Sequence, residues 1–197
     1  MLLTHIRTAI VSLLLFTLLT GLLYPLAITG IATLIFPGEA GGSLLRVKGR
    51  IVGSALIGQQ FTGPGYFWSR PSATSPDPYN GGASMGSSLG PLNPVLLKSV
   101  SSRLQLLRSA DTLNAQSVPV DLVTSSASGL DPHISMAGAL FQLSRVARAR
   151  SMKEAEVRKL VNRYTESKGL GFLGEPGVNV LRLNLALDGV VPDGENQ

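Results

Sequence analysis

Residues 9–36 read "AIVSLLLFTLLTGLLYPLAITGIATLIF", Ala9 to Phe36, without one charged side chain. The reading of this stretch decides the fold. A bilayer core about 30 Å thick is crossed by roughly 20 apolar residues in helix. The run exceeds that, which leaves room for tilt or for an end lying in the interface. A secretory signal peptide has an apolar core of only about 7–15 residues followed by a small-residue cleavage site. This run is too long for that, and no convincing site follows it. A buried core helix is shorter and amphipathic, whereas this one is apolar on every side. The expectation is a retained transmembrane helix over 9–36, kinked at Pro25 or relieved there by a neighbour. Gly21, Gly30, Thr17, Thr20 and Thr29 are small or weakly polar, and such residues let helices approach closely in lipid.

Outward from this run, residues 1–8 form a short N-terminal segment. Arg7 and the amino terminus favour a cytoplasmic start. Arg46, Lys48 and Arg50 follow the helix but weigh little, because long domains translocate largely regardless of charge. The expected localisation is a single-pass membrane protein with residues 37–197 extracytoplasmic. Mean hydropathy is +0.26, raised by the N-terminal run. The formal charge is +5, with basic residues scattered singly among acids. No dense basic run or recognition motif supports nucleic-acid binding. There is no cysteine, which excludes disulfides and thiolate metal sites. The two histidines, His5 and His133, cannot make a usual zinc site, so no metal is expected.

Residues 44–61, around "RVKGRIVGSALIG", read as a strand whose glycines mark a bulge or a close approach. Residues 62–94, "TGPGYFWSRPSATSPDPYNGGASMGSSLGPLNP", are rich in proline and glycine and predict a long loop. Tyr66, Phe67, Trp68 and Tyr79 argue that the loop is ordered, since disordered tracts are poor in aromatics. An ordered loop laid on a partner surface makes Tyr66, Phe67, Trp68, Arg70, Tyr79 and Asn80 the docking candidates. Asn93 and Pro94 then cap and open a helix with Leu97, Val100, Leu104 and Leu107 on one face. "SVPVDLVTS" reads as a short strand. "SMKEAEVRKLVNRYTESK" reads as an amphipathic helix, with Ser151 and Glu154 as a capping box and Val157, Leu160, Val161 and Tyr164 as its apolar face. "VNVLRLNLALD" alternates Leu181, Leu183, Leu185 and Leu187 with more polar residues, the pattern of a half-buried strand. The fold class is a single N-terminal transmembrane helix plus a mixed α/β soluble domain.

Two stretches imitate catalytic motifs. "GASMG" at 82–86 is a literal G-x-S-x-G, but a Pro/Ser/Asn loop precedes Ser84 where a hydrolase elbow needs a strand. "SASGLDPHIS", Ser126 to Ser135, crowds Ser128, Asp131 and His133 together. A triad needs its base within reach of the nucleophile and oriented by the acid, which three residues in one tight turn rarely achieve. The favoured reading is a glycine turn at Gly129 and a helix capped by Asp131 and opened by Pro132. No catalytic residue is expected, and neither Gly-rich phosphate loop occurs. On the following helix Met136, Leu140, Leu143 and Ala147 make an apolar stripe. Gln142 and Arg145 project together from another face, either into solvent or toward a partner or an anionic ligand.

Six stretches together resemble the C subunit of the bacterial Kdp potassium-transporting P-type ATPase: "GSALIGQQF" (Gly53–Phe61), "YFWSRPSA" (Tyr66–Ala73), "PYN" with "GSSLGPLNP" (Pro78–Pro94), "DLVTSSASGLDPHIS" (Asp121–Ser135), "QLSRVARAR" (Gln142–Arg150) and "FLGEPGVNVLRLNLALD" (Phe172–Asp188). Ser88 stands where that family often has Asn, and Arg182 where Glu is usual. The resemblance implies an accessory subunit, not catalytic by itself, of an ATP-driven potassium uptake complex in the bacterial inner membrane. It implies as partners a potassium-binding channel-like subunit, an ATP-hydrolysing subunit, a small single-span subunit and membrane lipid. It implies no cofactor of its own, since ATP and potassium belong to the complex. The family's proposed roles are assembly and stabilisation of the complex, and action as a catalytic chaperone that raises the ATP affinity of the hydrolysing subunit. For the latter Gln142, with Arg145 beside it, is likened to a nucleotide-binding site. An extracytoplasmic domain does not meet cytoplasmic ATP, so the residues favour partner docking, with a nucleotide-binding regulator acting through Gln142 as the alternative.

Overall fold

A computed structural model describes residues 2–166 and 174–193. Met1, the expected helix end at Ser167 and Lys168, Phe172 and Leu173 of the last family-like stretch, and residues 194–197 lie outside the described residues. The chain divides into two compact units, residues 1–44 and 45–197.

In the first unit, α1 (Leu2–Leu18) runs through a π turn at Leu19–Leu23 into α2 (Tyr24–Ile35). Together they give a 34-residue helix, long and apolar enough to cross a membrane. At 1.5 Å per residue it is roughly 50 Å long, more than the bilayer core requires. Pro25 has no N–H to donate to Gly21, and the helix meets that loss by widening one turn. Tyr24 N–H accordingly bonds Leu19 O, five residues back. The hydroxyls of Thr20 and Thr33 donate to the carbonyls of Phe16 (2.6 Å) and Thr29 (2.9 Å), so each is satisfied within the helix, as lipid demands. A short helix α3 (Pro37–Ala40) ends at Gly42 and Ser43, both at positive φ.

The second unit begins with a hairpin rather than the single strand expected over 44–61. β1 (Leu44–Val47) and β2 (Arg50–Ser54) are joined by Lys48 and Gly49, both with positive φ, the geometry of a two-residue hairpin turn. Asp193 accepts from the Lys48 and Gly49 amides at 3.3 and 2.9 Å. The 62–94 segment contains no helix or strand before Pro94, as expected. α4 (Pro94–Ala110) opens with the Asn93 side chain accepting from Val95 N–H at 2.9 Å. On its expected apolar face Leu107 is buried and Val100 and Leu104 are half-buried, but Leu97 is exposed.

Three expected elements are replaced. "SVPVDLVTS" is not a strand: Pro119 lacks the ladder donor, and Val120–Leu122 form a 3-10 turn that aims the Asp121 carboxylate at Ser135 N–H (2.7 Å). Asp131 does not cap a helix. The chain stays extended as β3 (His133–Ser135), and Ser135 caps α5 (Met136–Arg150) by accepting from Gly138 N–H. Asp131 instead accepts from His133 N–H at 3.0 Å and pairs with Arg70 at 2.9 Å. Ser151 does not cap the next helix. It terminates α5 in the left-handed region, and α6 (Glu154–Arg163) follows Lys153 without a side-chain cap. The apolar face of α6 is as expected, with Val157 and Val161 fully buried.

The fourth replacement matters most. Residues 180–187 form α7 (Val180–Leu187), not a strand. Asn179 caps it, accepting from Arg182 N–H at 3.2 Å. A strand would have turned Asn184 away from the leucines. The helix instead buries Val180, Leu181, Leu183, Asn184 and Leu187 together, a 3.6-residue pattern. Just before it, β5 (Gly177–Asn179) is the central strand of a three-stranded antiparallel sheet in the order β3-β5-β4, with β4 being Thr165–Glu166. The register pairs Ile134 with Val178 and Thr165 with Val178. α5 is buried on more than one side, and its Leu143 and Val146 join Phe67, Leu122, Ile134 and Leu183 in the main core.

Candidate functional site: a clamped loop and the cavity beside it

The 62–79 loop has almost no backbone partners of its own, so its buried peptide groups need side chains to bond them. Two amides supply this. On α5, Gln142 Oε1 accepts from Trp68 N–H at 2.8 Å, and its Nε2 donates to Trp68 O at 3.0 Å. On α7, Asn184 Oδ1 accepts from Phe67 N–H at 2.9 Å, and its Nδ2 donates to Phe67 O at 3.0 Å. Each amide thus serves both polar groups of one loop residue, as a neighbouring strand would.

Arginines finish the clamp. Arg145 donates to Pro64 O (2.6 Å), Tyr66 O (3.0 Å) and Gln142 Oε1 (2.8 Å), and its guanidinium lies 4.5 Å from the Trp68 ring centre. Burial pulls its pKa down to about 10, with the more distant Asp111 acting the other way. Arg150 bonds Gly65 O and Asp188 and stacks on Tyr66 at 4.7 Å. Gln142 and Arg145 are therefore not a projecting face. They are 1 % and 5 % exposed, and every polar atom of the Gln142 amide is engaged.

The docking candidates divide in the same way. Phe67 and Trp68 are core residues, 0 % and 6 % exposed. Tyr66, Arg70, Tyr79 and Asn80 remain half-buried. Tyr79 sits at φ +59, anchored by its hydroxyl donating to Arg70 O and its N–H donating to Ser72 Oγ at 2.9 Å. Burial raises its phenol pKa above 10.0. Asn80 Oδ1 accepts from Gly82 N–H.

Beside the clamp lies a cavity of about 510 Å³, walled by the loop from Trp68 to Tyr79, by Phe61, and by Arg103 and Leu106 of α4. Arg103 donates to Leu122 O (3.1 Å) and Ser69 O (3.0 Å) and lies 5.7 Å from the Trp68 ring centre. Among the described residues no carboxylate pairs with it, and burial lowers its pKa from the usual guanidinium value. Sequence reasoning missed Arg103, because nothing local separates it from the other cations of α4.

The catalytic imitations are taken up by structure. Ser84 Oγ donates to Ser128 O at 3.1 Å, and Ser128 Oγ accepts from Leu130 N–H at 3.1 Å. His133 faces carboxylates at both ring nitrogens, Asp131 at 3.4 Å from Nδ1 and Glu166 at 3.0 Å from Nε2. The Glu166 contact is one of charge rather than of hydrogen-bond alignment. Among the described residues no group of three His, Asp or Glu could hold a metal.

The family model described as "K+-transporting ATPase, c chain" matches residues 6–189. A protein of Sorangium cellulosum (strain So ce56) named potassium-transporting ATPase KdpC subunit is 62 % identical over 187 residues, 95 % of this chain and 98 % of the relative. Proteins of the same name from Polaromonas naphthalenivorans (strain CJ2) and Methylococcus capsulatus are 59 % and 56 % identical, covering 95 % and 93 % of this chain and 95 % and 97 % of theirs.

Proposed function

Since the chain belongs to the KdpC family, the c chain of the K+-transporting ATPase, we propose that it is a non-catalytic accessory subunit that assembles and stabilises the potassium pump. Its partners are the potassium-binding channel-like subunit, the ATP-hydrolysing subunit and the small single-span subunit. The 34-residue helix anchors it in the inner membrane with the N-terminus cytoplasmic, and residues 37–197 act outside. The observation that carries this reading is the clamp. Two amides and two arginines hold Tyr66–Trp68 and the half-buried residues beyond them in one conformation. A loop ordered before it meets its partner binds without the added cost of ordering its backbone.

Nucleotide binding through Gln142 is not the reading this geometry favours. The amide has no free donor or acceptor, and displacing it would strand the Trp68 peptide groups. An effect on the ATP affinity of the hydrolysing subunit is exerted through contact between subunits. The test is affinity purification of the tagged, full-length chain from membranes. Both large pump subunits are expected to be recovered with it. A chain that purifies alone overturns the reading.

A further inference from the structure

Among the described residues, Arg103 is the cation lining the cavity that pairs with no acid. Its neighbour Arg70 is neutralised by Asp131 at 2.9 Å, whereas Arg103 is held by two carbonyls and an aromatic face. A half-buried guanidinium without a counter-charge is costly to keep and strongly attracts one. The helix that carries it, α4, holds Lys98, Arg103 and Arg108 and no acidic residue. The other walls mix polar side chains such as Thr62, Ser72 and Thr74 with an apolar, stiff part. Phe61, Pro71, Pro76, Pro78 and Leu106 line the same cavity. A volume of about 510 Å³ falls in the range of built binding sites and takes a few side chains.

We propose that this cavity is a docking site for a peptide segment of another pump subunit that carries an Asp or Glu beside an apolar side chain. The carboxylate pairs with Arg103, and the apolar side chain lies against Leu106 and the proline wall. This rests on the chain being an assembly subunit, and it names the surface and the chemistry of the partner. The prolines and the anchored Tyr79 keep the wall open in advance, so the segment closes on a formed site.

The test uses the complete pump with the full-length chain. Leu106 is 47 % exposed at the rim, so substitution there leaves the core intact. Leu106→Glu and Leu106→Lys place opposite charges beside the incoming carboxylate. Recovery of the pump subunits should be about tenfold or more lower with Glu than with Lys at low salt, with the gap narrowing as salt rises. A photo-crosslinking residue at position 106 should capture a partner peptide that contains Asp or Glu. Equal recovery of the two charge variants, a captured peptide without an acid, or capture of lipid alone overturns the inference. If the unaltered chain recovers no pump subunit, the assembly reading falls and this inference with it. If it does recover them but the sign of the charge is immaterial, only the cavity inference falls.

Discussion

His133 is tied by charge to both sides of its sheet. The hydrogen bond to Asp131 raises its pKa above 6.5, burial opposes this, and Glu166 adds to the rise. Arg70 and Arg182 stand behind the two carboxylates, at 2.9 Å from Asp131 and 3.8 Å from Glu166. Burial would raise the Asp131 carboxyl, but the bonds from His133 and the charge of Arg70 outweigh it and hold the pKa below 3.8. A folded-state pKa above the unfolded one makes the His133 contribution complete below about 6.5 and lost as pH rises through the raised value. Asp131 contributes above about 3.8, and that is lost as pH falls through its lowered value. Thermal unfolding of the purified chain should thus show this cluster contributing most between these limits. His133→Gln should flatten the decline on the alkaline side. A decline of the same size in the variant would show that another group causes it. The sequence displayed Asp131 and His133 side by side, but their partners Arg70 and Glu166 lie far off along the chain, where no local pattern could find them.

At the scale of elements, the loop and the two helices that hold it form one construction. Gln142→Ala removes both partners of the Trp68 peptide group, and each buried group left unbonded costs about 1–3 kcal/mol. The expected loss is therefore about 2–6 kcal/mol, with hydrogen exchange rising first across residues 62–79. Exchange that rises evenly over the domain would show that the clamp is not local. The order of the loop was legible from its aromatics. Which of its aromatics stay accessible was only half legible, because an aromatic in a loop can anchor the loop as readily as face outward. Phe67 and Trp68 do the first. Ser88 has φ +50, a backbone region that Asn tolerates better than most residues. The misreading of 180–187 has an equally local cause. Alternating leucines satisfy a two-residue period on paper, but Asn179 caps a helix and Asn184 has a buried peptide to bond.

At the scale of the whole molecule, the membrane anchor and the 45–197 unit make separate demands. The anchor leaves its leucines and isoleucines exposed, and none of its residues is buried within the protein. The proposed orientation puts the C-terminus outside. A phosphatase that folds only outside the membrane, fused after Gln197, should be active, and a cytoplasmic-only reporter at the same place silent. The opposite pattern would reverse the orientation and return the 45–197 unit to the compartment that holds ATP.

The sequence by itself determined the long apolar N-terminal helix, the long loop without helix or strand, the cap at Asn93 and the turn at Gly129. Each depends on residues adjacent in the chain: an uncharged run, a cluster of prolines, a side chain beside the amide it bonds, a glycine at φ +68. Tertiary structure alone decided the rest. Whether Gln142 faces water or the Trp68 peptide depends on residues 74 positions apart. Whether Arg103 has an acid depends on how α4 meets the loop. Buried polar groups must find partners wherever the fold places them, and that requirement, not any local pattern, turned a helix face expected to be open into a clamp.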